Sequence, residues 1–299
     1  MTNAFPDLFD GALGKFAGRA HFELDNSVPP DKLPLRKIPL AMKSDLAAEL
    51  ERLENLGVIE REEQPTDWVS SLVVARKANG DIRVCIDPKP LNKALKRAQY
   101  PMPTLEDLLP RLKKARVFSV CDVSSGYWHV ELDEASSRLT TFATPTGRFR
   151  WTRLPFGLSV APEIFQSCMD AAIGGLQGVG TIVDDLLVWG EGDTDEEATF
   201  DHDHNLERLL ERCRQRGLKL NAKMLRFRQP KVAYVGYILS AEGLGSDPSK
   251  VAVIRNMPKP SNKEELQRLL GMVNYLAKFL PRISDKCAPL RQLVQDDIE

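Results

Sequence analysis

No apolar run in this 299-residue sequence approaches the roughly 18 residues needed to cross a bilayer. The opening MTNAFPDLFDG also lacks the basic-then-apolar layout of a secretory leader. No membrane partner is expected, and the expected location is cytoplasmic or nuclear. Cysteine is scarce. Cys85, Cys121, Cys168, Cys213 and Cys287 are odd in number, scattered and never spaced as C-x-x-C, which argues against a disulfide framework or a zinc site and for buried free thiols. Internal repeats and low-complexity tracts are missing too. The formal charge is −1, too small to suggest nucleic-acid binding by itself.

That average hides a polarised distribution. Residues 184 to 203 hold nine acidic residues and no basic one, whereas residues 204 to 295 hold eighteen basic against seven acidic. The cationic third reads either as solvated helix faces or as a track for a phosphate backbone. With 42% hydrophobic residues the chain can bury a substantial core, and its length suggests two or three subdomains.

The first thirty residues, rich in Gly, Pro and Phe, read as an irregular lead-in ending in the proline-spaced SVPPDKLPLRKIPL. SDLAAELERLENLG then predicts a helix with Ser44 as N-cap, Leu46, Leu50, Leu53 and Leu56 on one face and Gly57 as its stop. SSLVVARKANGDIRVCID predicts a hairpin turning at Asn79-Gly80. A helix capped by Thr104 and bent at Pro110 follows, and then the strand RVFSVCD. A second hairpin turns at Thr146-Gly147, a helix carries Pro162 in its first turn, another runs from about His202 to Gly217, and KVAYVGYILSAEG forms a further hairpin. Near the end, Ser261 and Glu264 predict a capping box for a helix that Pro281 follows. Helices and antiparallel strands are mixed without regular alternation, so the expected class is α+β.

Chemistry concentrates in TIVDDLLVWG. Asp184 and Asp185 sit among Ile182, Val183, Leu186 and Leu187. Two readings stand: the polar tip of a hairpin, or carboxylates held on a rigid, half-buried element where a divalent cation offsets their charge. Asp122 ends a second apolar run, and three hard oxygen ligands suit Mg²⁺. Two such ions can activate an attacking hydroxyl and stabilise a leaving oxygen in phosphoryl transfer.

Several stretches form an ordered set: ANGDIRVCIDPKPLNKA, FSVCDVSSGYWHVEL, TTFATPTGRFRWTRLPFGLSVAPEIFQ, TIVDDLLVWG, LKLNAKMLRF, YVGYILSAEGL and LQRLLGMVNYLAKFLP. Together they resemble the reverse transcriptase of gypsy-type LTR retrotransposons, from about Pro6 to Leu293. The resemblance implies a right-hand polymerase with an antiparallel palm sheet packed on helices. Its parts would be a lead-in (1–30), fingers (31–103 and 133–152), palm (104–132 and 153–239), and thumb with the start of a linker (240–299). The implied function is RNA-directed DNA polymerisation, with dNTP, a primer and an RNA or DNA template as partners and two Mg²⁺ ions, or Mn²⁺, as cofactor.

Residue by residue, Asp122, Asp184 and Asp185 match the family's catalytic aspartates, with Val123 placed beside them around the cations. Tyr127 matches the aromatic that lies under the incoming sugar and excludes a 2′-hydroxyl. Phe156 and Gln166 match residues lining the nucleotide pocket, and Arg83 with Arg76 or Lys77 the fingertip cations. Backbone amides in VSSG would add donors to the phosphates if they open a short helix. Tyr234, Val235, Gly236 and Tyr237 match the hairpin that positions the primer end, while Gly271 and Tyr275 match thumb positions along the minor groove.

Departures from the pattern are informative. Ile182 replaces the tyrosine that usually opens the Asp-Asp motif, so a polar contact near the primer terminus is expected to be lost. GYWHV leaves Trp128 and His129 unassigned, and His202 and His204 are expected to be exposed at a helix start. Family polyproteins continue into an RNase H domain, and the chain stops about where that linker would begin. Two rival functions remain: a decayed copy that binds nucleic acid without turnover, and a metal-dependent nuclease or phosphatase.

Overall fold

A computed structural model describes residues 4–76, 80, 82–280 and 282–295. Asn79 and Pro281, expected at a turn and past a helix end, lie outside the described residues. In chain order the strands are β1 (Arg19–Ala20), β2 (Ile59–Arg61), β3 (Ser71–Arg76), β4 (Ile82–Asp87), β5 (Ala115–Asp122), β6 (Glu131–Leu132), β7 (Phe142–Thr144), β8 (Gly147–Trp151), β9 (Val179–Ile182), β10 (Asp185–Glu191), β11 (Arg226–Gln229), β12 (Lys231–Tyr234), β13 (Tyr237–Ser240) and β14 (Gly243–Ser246). The helices are α1 (Lys43–Asn55), α2 (Lys89–Ala94), α3 (Leu105–Leu108), α4 (Glu134–Leu139), α5 (Ala161–Ile173), α6 (Asp195–Arg216), α7 (Pro248–Arg255), α8 (Lys263–Tyr275) and α9 (Ile283–Gln292).

An antiparallel sheet in the order β11-β5-β10-β9 carries the site. Strand β10 reads as a continuous apolar run because alternate residues serve two cores. Leu186 and Val188 join the larger one with Leu206, Leu209 and Leu210 of α6. Leu187 and Trp189 join a smaller one with Leu105, Leu108, Val232, Tyr234 and Leu239. Each such fully buried side chain contributes about 1.5–3 kcal/mol. The lead-in is less irregular than its composition suggests: Phe5, Leu8, Phe16 and Phe22 are buried in the larger core, and β1 pairs in parallel with β6.

Helix α6 begins seven residues earlier than the apolar periodicity predicts. Thr194 and Glu197 form its capping box, and Asp195, Glu196 and Glu197 fill its first turn, where carboxylates favour the helix dipole. Three of the nine acidic residues of that run thus serve as a helix start. His202 consequently lies within the helix, and it is buried rather than exposed; its ring meets Ser119 Oγ at 2.8 Å. His204 is exposed as expected.

Smaller corrections have local causes. Helix α1 starts at Lys43 with Met42 as N-cap, not Ser44, and Leu56, past its end, is exposed while Leu46, Leu50 and Leu53 are buried. Pro110 converts the turns after α3 to a 3-10 helix over Leu109–Leu112. Asn262, not Ser261, caps α8 through the N–H of Glu265, while Ser261 donates to the Glu265 carboxylate. Helices α7 and α9 carry too little periodic apolar character to be expected from sequence; α7 has no buried residue and α9 buries Cys287. Among the described residues no helix is long and apolar enough to cross a membrane.

Candidate active site

Between β9 and β10 the chain turns in two residues, Val183 and Asp184. Val183 has φ +56°, a left-handed conformation that disfavours a β-branched side chain by roughly 1–2 kcal/mol. Three hydrogen bonds hold it there. Gln166 Oε1 accepts from Val183 N–H at 2.8 Å, Thr181 Oγ1 donates to Val183 O at 3.2 Å, and Val123 N–H donates to Asp184 O at 3.0 Å. The turn therefore presents both aspartates in a set orientation at the end of a rigid sheet.

The third aspartate meets them across the sheet. Asp122 is the direct register partner of Asp185, and such pairs have Cα atoms about 4.5–5.5 Å apart. Burial pushes the carboxyl of Asp185 up from its ordinary range, and the charges of Asp184 and Asp122 push it further. Asp122 is raised by burial and by Asp184, against a lowering hydrogen bond from Asn221. Arg226 lowers both. Among the described residues no three His, Cys, Asp or Glu side chains close on a single point, so the aspartates are neighbours, not a finished cage. Their register fixes the proximity independently of side-chain rotamers. The donor set fits a hard divalent cation: it is all carboxylate oxygen, and its mutual repulsion is what such a cation would offset. Val123, expected beside the cations, is buried, and its N–H is committed to Asp184.

Beside the carboxylates, Tyr127 packs against Phe156 with ring centroids 4.9 Å apart and edge-on to Phe165 at 5.4 Å. The Arg83 guanidinium lies 5.2 Å from the Phe156 centroid. Arg83, Phe156 and Tyr127 thus pack in one continuous row. Arg76 instead pairs with Asp45 of α1 at 2.9 Å, and Lys77 lies outside the described residues. A cavity of about 640 Å³, lined by Asp45, Gly80, Ile82, Ser125 and Trp128 among others, lies between α1, the β3–β4 hairpin and the turn after β5.

Other expected residues play supporting parts. Gln166 is fully buried under the hairpin and does not line a pocket. Its Nε2 donates to Asp170 at 2.9 Å. In VSSG, the N–H groups of Val123 and Ser124 donate to Asp184 O and Lys219 O, which narrows any amide contribution to Ser125 and Gly126. His129, unassigned by sequence, is buried: its Nδ1 lies 3.1 Å from Gly126 O, and Nε2 accepts from Lys219 N–H at 3.1 Å. Burial lowers its pKa to about 4.

The 234–237 segment divides in two. Tyr234 is buried and donates to Asp185 O at 3.1 Å, so its side chain supports the aspartate hairpin and is not available to a primer. Ile182 packs in the same small core. Val235, exposed and with φ +46°, and Gly236, half-buried and with φ +84°, form the turn. Tyr237 stacks on Tyr275 of α8 at 5.1 Å, and Tyr275 Oη donates to Gly236 O at 2.8 Å. Gly271 is exposed, with nothing within 4 Å of where a Cβ would lie. Asn221, Arg226 and Asp45 were not singled out by sequence; the asparagine directly after the apolar LKL could have flagged a strand end facing Asp122.

Residues 75–239 match the family model for reverse transcriptase (RNA-dependent DNA polymerase). The retrovirus-related Pol polyprotein from transposon opus of Drosophila melanogaster is 29% identical over 99% of this chain and 30% of its own length. That from transposon 412 of the same organism is 33% identical over 72% of this chain and 17% of its own. The chain spans less than a third of these curated relatives. Among solved structures, a foamy viral protease-reverse transcriptase in complex with double-stranded DNA is 22% identical and covers 98% of this chain and 51% of its own, with a TM-score of 0.88. The fold is that of a right-hand polymerase, with an antiparallel sheet packed on helices. On the family match, which takes in all three aspartates, the chain belongs to the reverse transcriptase family.

Proposed function

We propose that this chain is an RNA-directed DNA polymerase domain that adds dNTPs to a primer paired with an RNA or DNA template. The observation that supports it most is the register pairing of Asp122 with Asp185, beside Asp184 on a turn held from three sides. Asp122, Asp184 and Asp185 would hold two Mg²⁺ ions, or Mn²⁺; when bound, these supply activation of the primer hydroxyl and neutralisation of phosphate charge. The protein's own contribution is positioning and fixed charge. Arg83 faces the triphosphate from the fingertip, Tyr127 sits under the sugar with Phe156 bracing it, and the Val235–Gly236 turn, tied to Tyr275, meets the primer end. Residues 31–103 and 133–152 are read as fingers, 104–132 and 153–239 as palm, and 240–299 as thumb and start of linker. The nucleic-acid partner is carried over from the DNA-bound foamy viral neighbour.

Primer extension on poly(rA) annealed to oligo(dT) with Mg²⁺ tests this reading. The wild-type chain is expected to add dTMP, and Asp185→Asn is expected to abolish addition while duplex affinity in a gel shift stays within about threefold, since a single carboxylate makes no favourable phosphate contact. Duplex binding without addition by the wild type would leave a nucleic-acid-binding protein. Hydrolysis without dNTP would point to a nuclease or phosphatase.

A further inference from the structure

Asp122 ends β5 at the point where another segment, Lys219 to Asn221, crosses it on the side away from β10. That crossing is tightly knitted. Ser124 N–H donates to Lys219 O at 2.9 Å, Val123 and Leu220 form an antiparallel bridge, and Asn221 N–H donates to Asp122 O at 2.9 Å. The backbone of Asn221 is therefore fixed against the backbone of the aspartate itself.

Its side chain is fixed as well. Asn221 Oδ1 accepts from Lys223 N–H at 3.1 Å, an Asx-type turn that leaves the amide nitrogen to face the other way. There Nδ2 donates to Asp122 Oδ2 at 3.3 Å. The nearby ammonium of Lys219 is directed elsewhere, to Asp7 O and Asp10. The carboxylate thus receives a neutral donor. A neutral amide can orient one carboxylate oxygen without cancelling the charge that a cation needs, which an adjacent ammonium would do. Hydrogen bonds of this kind also restrict the rotamers of a ligand before any ion arrives.

We infer that Asn221 is a positioning residue of the polymerase site, its amide holding Asp122 through Oδ2 in one rotamer with the second oxygen left for a cation. The inference rests on the polymerase reading for its kinetic consequence but not for its metal-binding one. Asn221 lies within LKLNAKMLRF, but the residue-by-residue match to the family gives it no role. Oriented carboxylates bind ions more tightly than free-swinging ones because less side-chain entropy is lost on binding.

Two substitutions separate the donor from the turn. Asn221→Ala removes both. Asn221→Asp keeps an oxygen to accept from Lys223 N–H but places a repelling carboxylate where the donor stood. The non-kinetic readout is Mn²⁺ binding followed by electron paramagnetic resonance, without dNTP. Asn221→Ala is expected to weaken Mn²⁺ affinity about tenfold, and to lower kcat about tenfold or more, with KM for dNTP and duplex affinity nearly unchanged. Asn221→Asp is expected to lose kcat at least as far with a melting temperature within about 2 °C of wild type. Mn²⁺ affinity within about twofold of wild type for Asn221→Ala, or wild-type kcat for Asn221→Asp, overturns the inference. A wild-type chain that adds no nucleotide would instead refute the polymerase reading, while the Mn²⁺ comparison would still decide the role of Asn221.

Discussion

Gln166 and Val183 are joined by a 2.8 Å hydrogen bond in which the Gln166 side-chain oxygen accepts from the N–H of a valine held at φ +56°. A fully buried amide is thereby used to keep a β-branched residue in a conformation it disfavours. The other end of that amide donates to Asp170, which in turn accepts from Tyr100 Oη at 2.7 Å. The strain at the turn is supported by a chain of three residues, Gln166, Asp170 and Tyr100.

Gln166→Leu should leave Val183 N–H without its acceptor and Asp170 with Tyr100 as its remaining side-chain donor among those named, and cost about 1–3 kcal/mol in urea unfolding. It should lower kcat for extension much more than it raises KM for dNTP. If the bond sustains the strain, the loss should shrink when position 183 is glycine. A cycle of Gln166→Leu, Val183→Gly and the double variant is therefore expected to show coupling of about 0.5 kcal/mol or more. Additive effects would mean that the turn keeps its shape without Gln166.

Arg83 stacks on Phe156, which packs against Tyr127, so removing its guanidinium disturbs an aromatic wall together with the phosphate contact proposed for it. Arg83→Ala should raise KM for dNTP about tenfold or more in steady-state extension, in line with loss of a charge-assisted contact. Duplex affinity should hardly change. Arg83→Lys should recover less than half of the lost binding free energy, because an ammonium neither forks nor stacks as the planar group does. Equal KM values for all three chains would remove Arg83 from the nucleotide site.

Much of the architecture was legible in local chemistry. The apolar run around the paired aspartates, Thr104 as a helix cap and Gly217 as a helix stop at φ +71° all follow from rules that act over a few residues. The aspartates were found because carboxylates inside apolar strands are rare. What stayed hidden depends on long-range contact. Tyr234 has the sequence signature of a hairpin residue open to solvent, yet the smaller core buries it and its hydroxyl reaches Asp185 O. His202 looked exposed because the start of α6 was placed seven residues late, and its partner Ser119 lies 83 residues away. Asn221 is 99 residues from Asp122, a separation no periodicity can bridge.

Gly190 is a tight point between β10 and α6. A Cβ there would lie 1.9 Å from Ala198 O and 2.5 Å from His202 Cβ, and the first of these is backbone that cannot swing aside. Gly190→Ala should destabilise by on the order of 3 kcal/mol or more, since strand and helix must separate. Its effect on nucleotide addition should follow the folded fraction. Wild-type urea stability in this variant would show that α6 can slide at no cost.

His129 ties three segments together in its neutral form. With Nε2 accepting from Lys219 N–H, the ring proton sits on Nδ1 and points to Gly126 O. Protonation would turn the Lys219 contact into a clash of two donors inside a buried site. The pKa is lowered from 6.5 to about 4 in the folded chain, so the unfolded chain binds the proton more readily. Stability from this group is therefore complete above about pH 6.5 and is lost as pH falls toward 4, by roughly 3 kcal/mol in all. His129→Gln should be less stable than wild type at pH 7 but lose less between pH 7 and 4.5, the two urea-derived curves converging by about 2.5 kcal/mol. Acidic groups such as Asp7 titrate equally in both chains, so the difference isolates the imidazole. Parallel curves would mean that position 129 takes up no proton on unfolding.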